Sequence, residues 1–121
     1  MISAAIQSTL LGIIPNTFFA IGDEKIITPF CVHKESGTPI NLKSGLVGYT
    51  YQCEVVIIDD LPEKVETLVM SVKAALEALA GTTVSTTIID AVTFEGDDPD
   101  FDTEDKMYIN ILRFTFETSN R

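Results

Sequence analysis

Three side chains in this sequence have the chemistry to act on something: Cys31, His33 and Cys53. Cys31 and His33 alternate onto one face of a strand-like segment, and Cys53 can lie across from them on a second. Three soft ligands could hold zinc, but there is no CxxC pair and no fourth ligand nearby. A thiol beside an imidazole could also serve as a nucleophile and its base. No family signature of a cysteine enzyme surrounds either thiol. Both cysteines sit in apolar strand contexts, so the favoured reading is two buried thiols in a reducing cytosol rather than a disulfide. With a single histidine, few options remain for acid–base chemistry near neutral pH.

A second cluster is acidic. Asp97, Asp98, Asp100, Asp102, Glu104 and Asp105 crowd one segment. Asp98-Pro99-Asp100-Phe101-Asp102 has the opening spacing of a calcium loop. However, Thr103 stands where such a loop needs glycine, and Ile109 stands where it needs its last glutamate. The cluster therefore reads as a solvated or partner-facing loop. No GxGxxG, P-loop, HExxH or GxSxG motif occurs. No cofactor, metal or catalytic residue is assigned.

The elements that must position these groups centre on residues 45–81. Val47, Tyr49, Tyr51, Cys53, Val55 and Ile57 alternate with Thr50, Gln52 and Glu54, the pattern of a half-buried strand. Asp60-Leu61-Pro62-Glu63 then reads as a helix start with Asp60 as the cap. Leu61, Val65, Leu68, Val69, Val72, Leu76 and Leu79 recur at helical spacing as one core-facing stripe. Glu63, Glu66 and Glu77 fall on its solvent side, and Gly81 supplies a left-handed exit.

Before this unit, Ser3 can cap a first helix with Ile2, Ala5, Ile6, Leu10 and Ile13 on one face, ended by Pro15-Asn16. Phe18, Phe19 and Ile21 read as loop anchors, and Gly22-Asp23 as a turn. A strand is expected over residues 26–35, with Pro29 marking an edge or its true start. Ser36-Gly37-Thr38-Pro39 breaks it, and a loop runs to Ser44-Gly45, too long for a tight hairpin. After a polar Thr/Ser run at residues 82–87, strands are expected over 88–94 and 107–118, with the acidic loop 96–105 between. On the last strand Tyr108, Asn110, Leu112, Phe114 and Phe116 share one side. The expected fold is α+β, a mostly antiparallel four-stranded sheet with two helices packed on one face, in the order α-β-β-α-β-β.

The chain has 121 residues, which fits a single domain spanning 1–121. Hydrophobic residues make up 45% and charged residues 21%, values of a globular protein. With 18 acidic against 8 basic residues the net charge is −10, which disfavours binding nucleic acid through its phosphates. No apolar run approaches the ~20 residues of a membrane span, and the start of the chain lacks the features of a signal peptide.

Ser36-Gly37-Thr38-Pro39, then Gly45-Leu46-Val47 opening a long strand, then Val72-Lys73-Ala74-Ala75-Leu76 before Gly81, resembles the small tail-completion proteins of long-tailed phages and prophages. The helix near Met1 and the acidic segment before the aromatic strand (residues 101–116) are similar too. These are tail-terminator or tail-to-head joining proteins. The resemblance implies a non-enzymatic virion structural protein, made in the bacterial host cytoplasm. It implies a homo-oligomeric ring, usually a hexamer, capping the head-proximal end of the tail tube. Its partners would be the major tail tube protein and a head-completion protein, without membrane or sequence-specific nucleic-acid binding.

A ring needs a heterologous contact, in which one patch meets a different patch on the next copy. Lys34 and Lys43 facing Asp98, Asp100, Asp102 and Asp105 of a neighbour are the assembly residues expected from sequence. The competing readings are a small-molecule or peptide-binding module of a cytoplasmic protein, and a small enzyme built on Cys31, Cys53 and His33.

Overall fold

The computed structural model of the chain describes residues 2–19, 28–43, 45–84 and 86–120. The expected turn at Gly22-Asp23, Ile21 and the first residues of the strand expected over 26–35 lie outside them. Eight elements follow in the order α1 (Ile2–Leu11), β1 (Asn16–Phe19), β2 (Phe30–Leu42), β3 (Gly45–Asp59), α2 (Pro62–Glu77), β4 (Thr83–Val84), β5 (Thr87–Asp102) and β6 (Met107–Asn120). They build one curled six-stranded sheet, β1-β2-β3-β6-β5-β4. The sheet is mixed, because β1 runs parallel to β2 while every other pair is antiparallel. This corrects the expected four-stranded, mostly antiparallel sheet. The two added strands are short: β1 spans 4 residues and β4 only 2. Alternation cannot identify a strand so short. Phe18 and Phe19, read as loop anchors, belong to β1, and Phe18 packs on Phe30 with ring centroids 5.4 Å apart.

The alternation read on the central strand decides which face is covered. Cys53, Val55 and Ile57 of β3, with Leu112, Phe114 and Phe116 of β6, turn to one face and are buried. Ile2, Ile6 and Leu10 recur every four residues on α1 and join that core. Val65, Val72 and Leu76 are the buried positions of α2. Leu68, Val69 and Leu79 pack at the margin, whereas Leu61 is 45% exposed and drops out of the stripe. A smaller apolar group of Phe30, Val32 and Ile58 lies on the opposite face.

Helix α2 starts one residue later than expected. Leu61 occupies the cap position without a side-chain cap bond, and Pro62 opens the helix, where its missing N–H is no loss. Asp60 instead donates its backbone N–H to Oδ1 of Asp59, at 2.6 Å. Ser3 lies inside α1 rather than at its cap.

Both expected loops are strand. β2 continues through Ser36-Gly37-Thr38-Pro39 and pairs with β3 as far as Leu42 and Gly45. Gly37 is there to admit an aromatic ring: a Cβ would lie 2.8 Å from Cε1 of Tyr51. Pro39 is tolerated because β2 has no strand on its outer side there among the described residues. The acidic segment likewise extends β5, paired with β6 down to Asp102 and Met107. Irregularities at Ile89/Ala91 and Phe94/Gly96 bend it, and Gly96 adopts φ +122° at the second, a conformation suited to glycine. Oδ1 of Asp102 accepts the backbone N–H of Glu104 at 2.9 Å and of Asp105 at 3.3 Å, closing the hairpin.

These burial differences set the stability expected along α2. Leu76 is fully buried, so Leu76→Ala is expected to cost about 2–5 kcal/mol. Leu68→Ala should cost less, because Leu68 is only half-buried. The exposed Glu66→Ala should stay within about 0.5 kcal/mol of the parent. Urea titration of the three variants checks this order, and a Glu66→Ala loss equal to that of Leu76→Ala would contradict the helix orientation.

Candidate functional site

The cysteines and the histidine converge, but on one another's neighbours rather than on a reactive centre. Cys31, His33 and Glu35 alternate along the core-facing side of β2, and Cys53 lies opposite Glu35 on β3. Nδ1 of His33 contacts Oε2 of Glu35 at 2.8 Å, and its Nε2 contacts Oε1 of Gln7 at 2.5 Å. Gln7 is oriented from its other end, where Nε2 donates to the Thr17 carbonyl at 2.9 Å. Cys53 Sγ approaches the same Oε2 at 3.6 Å. The histidine is therefore held by Glu35 and Gln7, and neither thiol is its partner. Alternation along β2 could have flagged Glu35 once the strand was accepted. Gln7 comes from α1, and no local pattern marks it.

The thiols are free and buried. Burial pushes Cys31 up to about 12, only partly offset by a hydrogen bond with Thr17. Burial, then the charge of Glu35 and its hydrogen bond, push Cys53 up further. Little thiolate exists at neutral pH, so alkylation of both should be slow in the folded protein and fast in denaturant. Rapid labelling of either under native conditions would show a reactive site that this packing does not provide.

A groove of about 360 Å³ runs beside the start of α2, lined by Pro29, Asp59, Glu63, Lys64, Thr67 and Leu68. Asp59 is 1% exposed, and its Oδ2 has no hydrogen-bond partner among the described residues. Burial, and after it the adjoining Asp60, raise its carboxyl above the usual range. Sequence gave no sign of this, since Asp59 reads there as the last residue before a helix start.

The expected assembly residues are placed on opposite margins of the sheet. Lys34 lies in β2 and Lys43 in the turn after it. Asp98, Asp100 and Asp102 occupy alternate positions near the end of β5, and Asp105 lies in its hairpin turn. At ~3.3 Å per residue, alternate aspartates spread along a strand rather than wrap around one ion. Traced across the sheet, Lys34 pairs with Glu54, Glu54 with Arg113, and Arg113 with Gly96. Lys34 is thus level with the start of the acidic stretch, while Lys43 lies beyond the last β3–β6 pair, Gly48 with Ser119. Within one chain, Lys34 and Lys43 sit on the opposite margin of the sheet from Asp98, Asp100, Asp102 and Asp105.

No family model and no curated protein sequence matches the chain. Its fold does have a solved counterpart, a chain of the structure described as "Virion of native gene transfer agent (GTA) particle". The two superpose with a TM-score of 0.72, covering 96% of this chain and 86% of that one, at 15% identity. At that identity the likeness is one of fold: the curled six-stranded sheet with its two helices is an architecture that a component of a virion also uses.

Proposed function

We propose that this chain is a non-enzymatic structural protein of a phage or prophage particle, capping the head-proximal end of the tail tube as a ring and joining tail to head. The observation that carries the reading is the fold shared, over nearly the whole chain, with a component of a gene transfer agent virion. The chemistry of the chain is consistent with it. The sole histidine is fixed between Gln7 and Glu35, and both thiols are buried. A surface carrying a net charge of −10 would line a ring that lets DNA pass rather than hold it. Its partners in this reading are further copies of itself in a ring, hexameric as in the tail-completion proteins it resembles, the major tail tube protein and a head-completion protein. Its place is the virion, after synthesis in the host cytoplasm.

In such a ring, Lys34 and Lys43 of one copy and Asp98, Asp100, Asp102 and Asp105 of the next are the interface groups. Salt screens that attraction and also relieves the repulsion between acidic copies. The prediction is an association equilibrium that depends on salt and magnesium. Sedimentation velocity over a wide concentration range, with electron microscopy of purified tail tubes mixed with the protein, tests it. The expected result is a closed oligomer seated at one end of the tube. A strict monomer that leaves tube ends bare would overturn the reading and favour a binding module that uses the groove beside α2.

A further inference from the structure

The sheet ends in two margins that are each closed over only part of their length. Among the described residues, β1 covers β2 at residues 30–33 and no strand lies outside residues 34–42. β4 covers β5 at residues 87–88, and backbone bonds between Gly81, Thr82 and Ile89 extend the cover by one residue. From residue 90 onward, β5 has no outer strand among the described residues. An open strand edge presents rows of N–H and C=O groups that can template another strand.

We propose that the sheet of one copy continues into the sheet of the next, the open edge of β2 short of Pro39 (residues 34–38) pairing antiparallel with the open edge of β5 (residues 91–96) of a second copy. The inference rests on the ring reading above and specifies its subunit contact.

Direction supports it. β2 is antiparallel to β3, β3 to β6 and β6 to β5, so β2 and β5 run in opposite senses. A head-to-tail contact repeated by rotation about an axis that runs along the strands preserves those senses, so in that ring β5 of the neighbour meets β2 antiparallel. Height supports it too. Following the register across the sheet, Lys34 is level with Gly96, Ser36 with Thr93 and Thr38 with Ala91. The open stretches therefore overlap without one copy climbing past the next.

Charge selects this pairing over the symmetrical alternative. Asp90, Glu95, Asp97 and Asp98 all lie in the open part of β5 and are exposed, so two copies of that edge repel each other. The open part of β2 carries exposed Lys34, and its one acid, Glu35, is turned inward with a side chain only 1% exposed. A β2 edge is thus the better partner for a β5 edge. Pro39 has no N–H to donate and ends the pairing on β2, and Pro99 bounds the open edge of β5 in the same way.

Ser36 and Thr93 are exposed on the face away from the helices, and the natural cysteines are buried. The variants S36C and T93C are mixed under mild oxidation while oligomer size is followed by sedimentation. The expected result is a disulfide between S36C of one copy and T93C of another, and no disulfide in either variant alone. A third variant, A91C, detects a register shifted by one pair. If oligomers form but S36C links to neither T93C nor A91C, the edge pairing is overturned while the ring reading stands. If no oligomer forms under any condition, the ring reading itself fails. Charge reversal supplies an independent measure. K34E alone and D98K alone should each weaken association, and their mixture should restore it. Failure of the mixture to recover would count against the contact.

Discussion

Glu35→Ala should lower the unfolding free energy by about 1–3 kcal/mol, the range for leaving a buried polar group without its hydrogen-bond partner. The carboxyl group is the hub of a polar track on the core-facing side of β2. Its Oε2 contacts both His33 Nδ1 and Cys53 Sγ. The side chains of His33 and Glu35 are 0% and 1% exposed, so no solvent replaces what is removed. His33 Nδ1 would be left beside apolar neighbours without an acceptor. Glu35→Gln keeps an oxygen for His33 and should lose less. Replacing His33 and Glu35 together by leucine removes both polar groups and should recover part of the loss, because neither is then stranded. Equilibrium urea unfolding of the three variants tests this. A Glu35→Ala variant as stable as Glu117→Ala, an exposed acid on β6, would mean that the pair is not buried.

That network also shows where sequence reading stops. Strong periodicity was enough for the core: Val55, Ile57, Val72, Leu76, Leu112, Phe114 and Phe116 all fall on the buried side expected of them. Those segments are long, and one face is plainly apolar. Segments whose conformation is set by a distant partner were not legible. Ser36-Gly37-Thr38-Pro39 has the composition of a turn, yet it lies flat as strand because β3 pairs with it and Tyr51 fills the space over Gly37. Residues 97–102 read as a solvated loop because four of the six are aspartates, which repel one another in isolation; β6 supplies backbone partners that hold them extended all the same. β1 is the clearest case. Four residues with two adjacent phenylalanines carry no period, and only the parallel register with β2 makes them a strand. Of the candidate site, the grouping of Cys31, His33 and Cys53 was legible from alternation. That His33 would be committed to Glu35 and Gln7 was not, because α1 approaches β2 through tertiary packing alone.

The hairpin of β5 and β6 offers the second large effect, and a control within the same pair of strands. Phe114 is fully buried, paired directly with Cys53 on one side and Phe94 on the other. Its ring lies 5.2 Å from that of Phe94 and 6.5 Å from that of Phe116. Truncating it removes a large apolar surface and leaves a void under α2 that the surrounding strands cannot close without breaking register. Phe114→Ala should therefore cost about 3–5 kcal/mol. Phe114→Leu retains much of the volume and should cost clearly less. Phe101, toward the turn of the same hairpin, also makes a ring contact, 4.7 Å from Tyr108, but is 41% exposed. Phe101→Ala should cost well under half of the Phe114 loss, since most of what it removes was already near water. Thermal and urea unfolding of the three variants give the ordering directly. Equal losses from Phe101→Ala and Phe114→Ala would mean that the acidic end of the hairpin is as deeply packed as its middle. It would then be part of the core rather than an edge available to a neighbour.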